Sequence, residues 1–218
     1  MRDEPGGAPE TPAHERVYRH LRGRILAGEM APGEVVTLRG LAEALGVSMT
    51  PAREAVRRLV AERALEMRAS GRVRVPEPSS AALAELFAAR RLLEPELARR
   101  ALPRVDAARI ARLRTIDAEI DRHIAAGAPG AYVAANHRFH ATLYAAAGAP
   151  ALMALVESVW LQTAPAMRRV YGRLGTARLE DHHAAALAAL EARDQGALGA
   201  AIEADLAQGA ALLAPSAP

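Results

Sequence analysis

The sequence predicts a mostly α-helical chain. A small N-terminal unit of three helices closed by a short β-hairpin is followed by an all-α antiparallel bundle. Three observations carry this reading. Residues 38–59 contain two short helical apolar stripes separated by a glycine turn. Residues 72–75 alternate arginine and valine with the period of two that marks a strand. Beyond Pro76 only helical patterning recurs, and aromatic residues make up just 3% of the chain.

The opening MRDEPGGAPETP lacks the apolar core of a secretory signal, and residues 1–10 are expected to be disordered. A first helix and its exit occupy ERVYRHLRGRILAGEMAPG, from Glu15 to Gly33. In the second helix Leu38, Leu41, Ala42 and Leu45 fall at i, i+3, i+4 and i+7 and form one apolar stripe. Gly46 ends that helix, because glycine turns the chain there without steric cost. Thr50 is positioned to cap the third helix, with Pro51 at its first position where no backbone donor is needed. Ala52, Ala55, Val56 and Leu59 give its buried stripe and leave Arg53, Arg57 and Arg58 on the surface. Two helices joined by a tight turn, the second basic near its start, form a helix-turn-helix whose second helix can enter a DNA major groove. Val73 and Val75 then face the core from a strand after the Ser70-Gly71 turn. The two prolines of Val75-Pro76-Glu77-Pro78-Ser79-Ser80 mark a linker. The expected organisation is a DNA-binding unit over 11–75, a linker over 76–80 and a helical domain over 81–214.

Composition limits the alternatives. There is no cysteine, so disulfides and thiolate metal sites are excluded. No apolar run approaches the ~20 residues that span a bilayer, and a cytoplasmic location without membrane contact is expected. The net charge of +3 is too modest to identify a nucleic-acid binder by bulk electrostatics. All 28 basic residues are arginine. Compositional bias accounts for this, although the planar guanidinium also suits phosphate and guanine contacts.

The second part reads as six helices near 80–101, 106–127, 129–147, 150–172, 176–193 and 195–213. Gly127, Gly148 and Gly175 act as stops, with Pro129 and Pro150 beyond the first two. Six helices over about 135 residues predict an antiparallel bundle.

With these motifs in place, residues 15–75 resemble the winged-helix domain of the GntR family. The shared residues are Pro32-Gly33, Leu41-Ala42, Leu45-Gly46-Val47-Ser48, Thr50-Pro51 and Arg53-Glu54-Ala55. The resemblance implies DNA contacts at Arg39, Ser48, Met49, Thr50, Arg53, Ser70 and Gly71. Met49 departs from the arginine common there; methionine donates no hydrogen bond, so the operator should differ or offer a thymine methyl at that point. The bundle resembles the FCD effector domain of the FadR subfamily through Ala89-Arg90-Arg91-Leu92-Leu93-Glu94-Pro95, Asn136-His137-Arg138-Phe139-His140, and His182-His183-Ala184 running on to Ala192-Arg193-Asp194.

Most FCD domains hold a divalent metal through one aspartate and three histidines. Carried over, the resemblance implies Asn136, His140, His183 and Asp205, with zinc, nickel or manganese as the ion. Asn136 and His140 are i, i+4 neighbours on one helix face. Asn136 replaces the usual aspartate and Asp205 replaces a histidine, which favours harder ions than three imidazoles would. The other reading is a polar hydrogen-bonded pocket without metal, and one residue of register decides between His182 and His183. His14, His20, His123 and His137 read as surface or hydrogen-bonded groups. Arg90 either pairs with Glu94 on the surface or anchors an effector carboxylate. The combined expectation is a homodimeric regulator reading a palindromic operator on double-stranded DNA, a repressor released by a small carboxylate. The rivals are a metal-dependent hydrolase and a DNA-binding dimer without an effector.

Overall fold

The computed structural model describes residues 11–68, 71–174 and 180–213. The N-terminal unit contains α1 (Ala13–Leu26), β1 (Val35–Val36), α2 (Leu38–Ala44), α3 (Met49–Ala61), β2 (Glu66–Met67) and β3 (Val73–Arg74). Its core forms where the apolar spacing predicts. Ala52, Ala55, Val56 and Leu59 of α3 are buried against α1, whose Val17, Leu21 and Ile25 face them. Each fully buried leucine, isoleucine or valine contributes ~1.5–3 kcal/mol, so this small three-helix contact sustains the unit. Leu41 and Ala42 of α2 are buried, and Leu38 and Leu45 are partly so. Gly46 turns the chain at φ +61.

Two local expectations are corrected. The third helix begins at Met49 with Ser48 at its N-cap, so Thr50 and Pro51 lie inside the first turn. A proline is tolerated at the third helical residue because that N–H has no intrahelical acceptor. It also removes one of the two amides a capping side chain uses, and Ser48 makes no side-chain cap bond. The second correction is an added strand. The expected hairpin of β2 and β3 is joined by β1 in an antiparallel sheet of order β1-β3-β2, with Val35 opposite Arg74 and Val36 opposite Val73. Val73 and Val75 are fully buried as expected. Ser70 and Gly175 lie outside the described residues.

The second part comprises α4 (Ser80–Ala101), a 3-10 turn (Leu102–Arg104), α5 (Ala107–Ala125), α6 (Pro129–Tyr144), α7 (Pro150–Leu174), α8 (His182–Ala192) and α9 (Gln195–Leu213). Short connections make α5 and α6, and α8 and α9, antiparallel neighbours, while α4 packs against α9, α7 and α6. Helix α8 is capped by Asp181, which accepts a bond from Ala184 N at 2.8 Å, and residues 176–179 of the expected helix lie outside the described residues. Among the described residues, no helix is long and apolar enough to cross a membrane.

The two parts touch through α1. Arg22 pairs with Glu157 of α7 at 2.8 Å. The turn after α1 presses into the bundle at Gly28, whose φ is +64. A Cβ there would lie 3.1 Å from Arg168 Cβ and 3.3 Å from Val133 Cγ1. Glycine therefore serves both the backbone conformation and the close approach.

Candidate functional site

The inner faces of α6, α8 and α9 bring three ionisable side chains together. His140 Nε2 lies 3.3 Å from His183 Nε2 and 3.2 Å from Asp205 Oδ2, and His183 Nε2 lies 3.9 Å from Asp205 Oδ1. One ligand atom from each of the three falls within 4.8 Å of the other two. Both histidines are buried. Asn136 approaches the group with Nδ2 3.4 Å from His183 Nε2, and a half-turn of its amide would present the oxygen instead. The register question has a clear answer. His183 faces inward, whereas His182 turns toward Glu180 at 3.7 Å.

Neighbouring groups fix the state of each ring. Tyr144 donates its hydroxyl proton to Glu94 Oε2 at 3.0 Å and lies 2.9 Å from His140 Nδ1. With that proton committed, the hydroxyl accepts from His140 Nδ1–H, which leaves Nε2 as a lone pair directed at His183 and Asp205. His183 Nδ1 lies 3.5 Å from Asp117 Oδ1, and the same logic directs its Nε2 inward. Two lone pairs and a carboxylate converging at these distances need a positive charge between them, either a proton or a metal ion. Burial disfavours the charged form of His183, but the hydrogen bond to Asp117 and the nearby Asp205 and Asp117 charges prevail and raise its pKa. Burial likewise opposes ionisation of Asp205, yet His140, His183 and Arg90 hold its carboxyl below the usual range. The donor set of two neutral imidazoles and a carboxylate fits a divalent transition ion.

Arg90 corrects the surface-pair expectation. It does bond Glu94, Nε to Oε1 at 2.6 Å, but both residues are buried and the pair sits inside the bundle. Glu94 also accepts from Trp160 Nε1 at 2.8 Å, and the guanidinium lies 4.4 Å over the Trp160 ring. Sequence reasoning paired Arg90 with Glu94 but did not identify Tyr144, Trp160 or Asp117. Tyr144 stands four residues after His140 on the same face, and Trp160 is the chain's single tryptophan; those were the available signals. His137 is half-buried and stacks edge-on to Trp160 at 4.7 Å, where burial pushes its pKa down to about 3.

Beside the cluster runs a narrow cavity in which about 30 Å³ admits the centre of a water molecule. Arg90, Asn136 and Asp205 stand in its wall together with Val133, Ala164 and Met167.

The other set of predicted residues is on the outer surface of the N-terminal unit. Arg39, Ser48, Met49, Thr50, Arg53 and Gly71 are all exposed. Among the described residues no ion pair engages Arg39, Arg53 or Arg57. Arg58 differs, being held by Glu15 at 3.1 Å, by Glu62 at 3.2 Å and over the Tyr18 ring at 3.5 Å. It ties α1 to α3.

Comparison with known proteins agrees with both halves. Residues 13–75 match the gntR family of bacterial regulatory proteins, and residues 85–208 match the FCD domain. The HTH-type transcriptional regulator McbR of Escherichia coli (strain K12) is 28% identical over 183 residues, covering 83% of each chain. The solved structure of E. coli McbR/YncC superposes with a TM-score of 0.87 at 26% identity, over 93% of this chain and 97% of that one. A putative GntR regulator from Rhodococcus sp. RHA1 shares the fold, with a TM-score of 0.72 at 24% identity over 93% and 98% of the two chains. The chain therefore belongs to the gntR family of bacterial regulatory proteins and carries an FCD domain, so it is a DNA-binding transcription regulator and not an enzyme.

Proposed function

We propose that this regulator acts as a homodimeric repressor whose hold on a palindromic operator is weakened by a small organic acid bound in the FCD bundle. Two heads related by a two-fold axis read two half-sites. Arg39, Ser48, Met49, Thr50, Arg53, Ser70 and Gly71 make the DNA contacts. Asn136, His140, His183 and Asp205 hold a divalent ion, and when bound that ion supplies a positive centre for carboxylate oxygens. Arg90 supplies the second anchor by a charge-assisted bond.

The observation that carries ligand responsiveness is a shared wall. Val133 and Ala164 line the cavity, and on the other side they confine Gly28 of the DNA-binding unit: a Cβ there would lie 3.3 Å from Val133 Cγ1 and 3.4 Å from the Ala164 carbonyl oxygen. A ligand that shifts this wall acts on the seat of the head. It needs only different affinities for two head arrangements, and DNA must then weaken ligand binding by the same factor.

The test is an operator selected from random duplexes and titrated by fluorescence anisotropy, with zinc and a panel of organic acids, alongside sedimentation of the free protein. A dimer with at least tenfold weaker operator binding in one acid is expected. Operator affinity indifferent to every acid would leave a DNA-binding dimer without an effector, and a monomer would remove the palindromic reading.

A further inference from the structure

The chain has one Trp, four Tyr and two Phe, and six of these seven rings surround the cavity and its histidines. Phe87, Tyr132, Trp160 and Tyr171 stand in the cavity wall. Phe139 lies 4.2 Å from the His183 ring, and Tyr144 lies 5.6 Å from the His140 ring. In so aromatic-poor a chain, this concentration gives the cavity a chemical character that the metal ligands alone do not.

Its polarity is one-sided. Arg90, Asn136 and Asp205 form the polar end of the wall. Elsewhere polar atoms are committed or turned to ring contacts: Trp160 Nε1 donates to Glu94, Thr163 Oγ1 donates to the Val159 carbonyl at 3.1 Å, and the Tyr132 and Tyr171 rings meet edge-on at 4.6 Å. A ligand carrying hydroxyls along its length would bury most of them against ring faces and apolar side chains, and each left unpaired costs free energy. The space is also tight. Only about 30 Å³ of the cavity admits a water centre. It stays open at one point because Gly209 has no side chain: a Cβ there would lie 3.3 Å from Phe87 Cε1 and 3.5 Å from Met167 Cε. Met167, opposite, is unbranched and able to adjust to a ring.

Building on the effector reading above, we propose that the cavity selects small aromatic monocarboxylates over polyhydroxylated acids. The carboxylate meets Arg90 and the histidine-carboxylate cluster, while the ring lies in the slot bounded by Phe87, Tyr132, Trp160 and Tyr171. Gly209 and Met167 set how large a ring is accepted.

The experiment is calorimetry on the zinc-loaded, full-length protein with benzoate, benzyl alcohol, acetate and gluconate, repeated with operator DNA. Benzoate is expected to bind at least tenfold tighter than gluconate or acetate, and benzyl alcohol, which lacks the anionic head, more weakly than benzoate by a similar factor. Gly209→Leu should reduce benzoate binding at least tenfold while retaining zinc. Met167→Ala, which removes bulk without crowding a helix contact, should improve 2-naphthoate relative to benzoate. Gluconate binding as tightly as benzoate, or benzyl alcohol matching it, overturns the ligand class and leaves ligand responsiveness standing. If no acid binds and operator affinity never moves, the effector reading itself fails.

Discussion

Arg168 Nη1 donates to the backbone carbonyl of Gly28 across 2.7 Å. The bond joins the bundle to the turn that ends α1, one residue after the cavity-lining Met167. Arg168→Ala removes it without touching a DNA contact or a proposed metal ligand. Zinc content and affinity for DNA in the free protein should stay within about twofold of the parent. The change in operator affinity produced by zinc plus benzoate should shrink at least threefold. Anisotropy with both proteins checks this, and undiminished coupling would show that the signal travels elsewhere.

On the outer face, Arg39 and Arg53 are exposed and free of ion pairs among the described residues. Arg53→Ala should weaken operator binding by roughly 1–3 kcal/mol if the side chain reads a base. Arg58→Ala should instead lower the thermal stability of the head, since Arg58 is engaged with Glu15, Glu62 and Tyr18. The two variants measured side by side separate recognition from architecture. Equal and small effects on DNA binding from Arg53→Ala and Arg39→Ala would refute the assigned interface.

His140→Ala and His183→Ala should each abolish stable zinc retention. Tyr144→Phe is the finer probe, because it keeps all proposed ligands while removing the acceptor that orients His140, together with one donor to Glu94. Partners of this kind are worth about 10–100-fold in metal affinity. Competition with a fluorescent chelator reads the change directly. Binding should also weaken as pH falls, since the imidazoles must shed protons to coordinate.

Within the bundle, Glu94 accepts three bonds, from Arg90, Trp160 and Tyr144. Glu94→Ala leaves a buried guanidinium without its counter-charge, and such a change costs roughly 3–5 kcal/mol. Chemical denaturation should show that loss. A variant within about 1 kcal/mol of the parent would mean that water reaches Arg90 freely.

Local patterns made most of the fold legible. The i, i+3, i+4 stripes of α2 and α3 and the alternation at Val73 and Val75 each lie within a few residues, and each buries the face it predicts. Strand β1 escaped because two residues, Val35 and Val36, carry no period. The start of α3 was misplaced because Ser48 and Thr50 are both good capping residues, and only backbone geometry separates them. The cluster of His140, His183 and Asp205 was legible through resemblance, since its members come from three helices. The Arg90–Glu94–Tyr144–Trp160 network was not. Its bonds join residues up to 66 positions apart, and the i, i+4 spacing of Arg90 and Glu94 looks the same on a surface as in a core.

The committed tautomers of His140 and His183 also bear on how the protein persists. Side chains arranged to receive a cation are lower in free energy with it than without, and an unfolded chain offers no such arrangement. By mass action, a free ion at a hundred times its dissociation constant would add about 2.7 kcal/mol to the folding free energy. That is a large share of the 5–15 kcal/mol that holds an ordinary domain together. Metal supply would then set how much intact regulator survives, as well as whether its pocket is ready for a ligand.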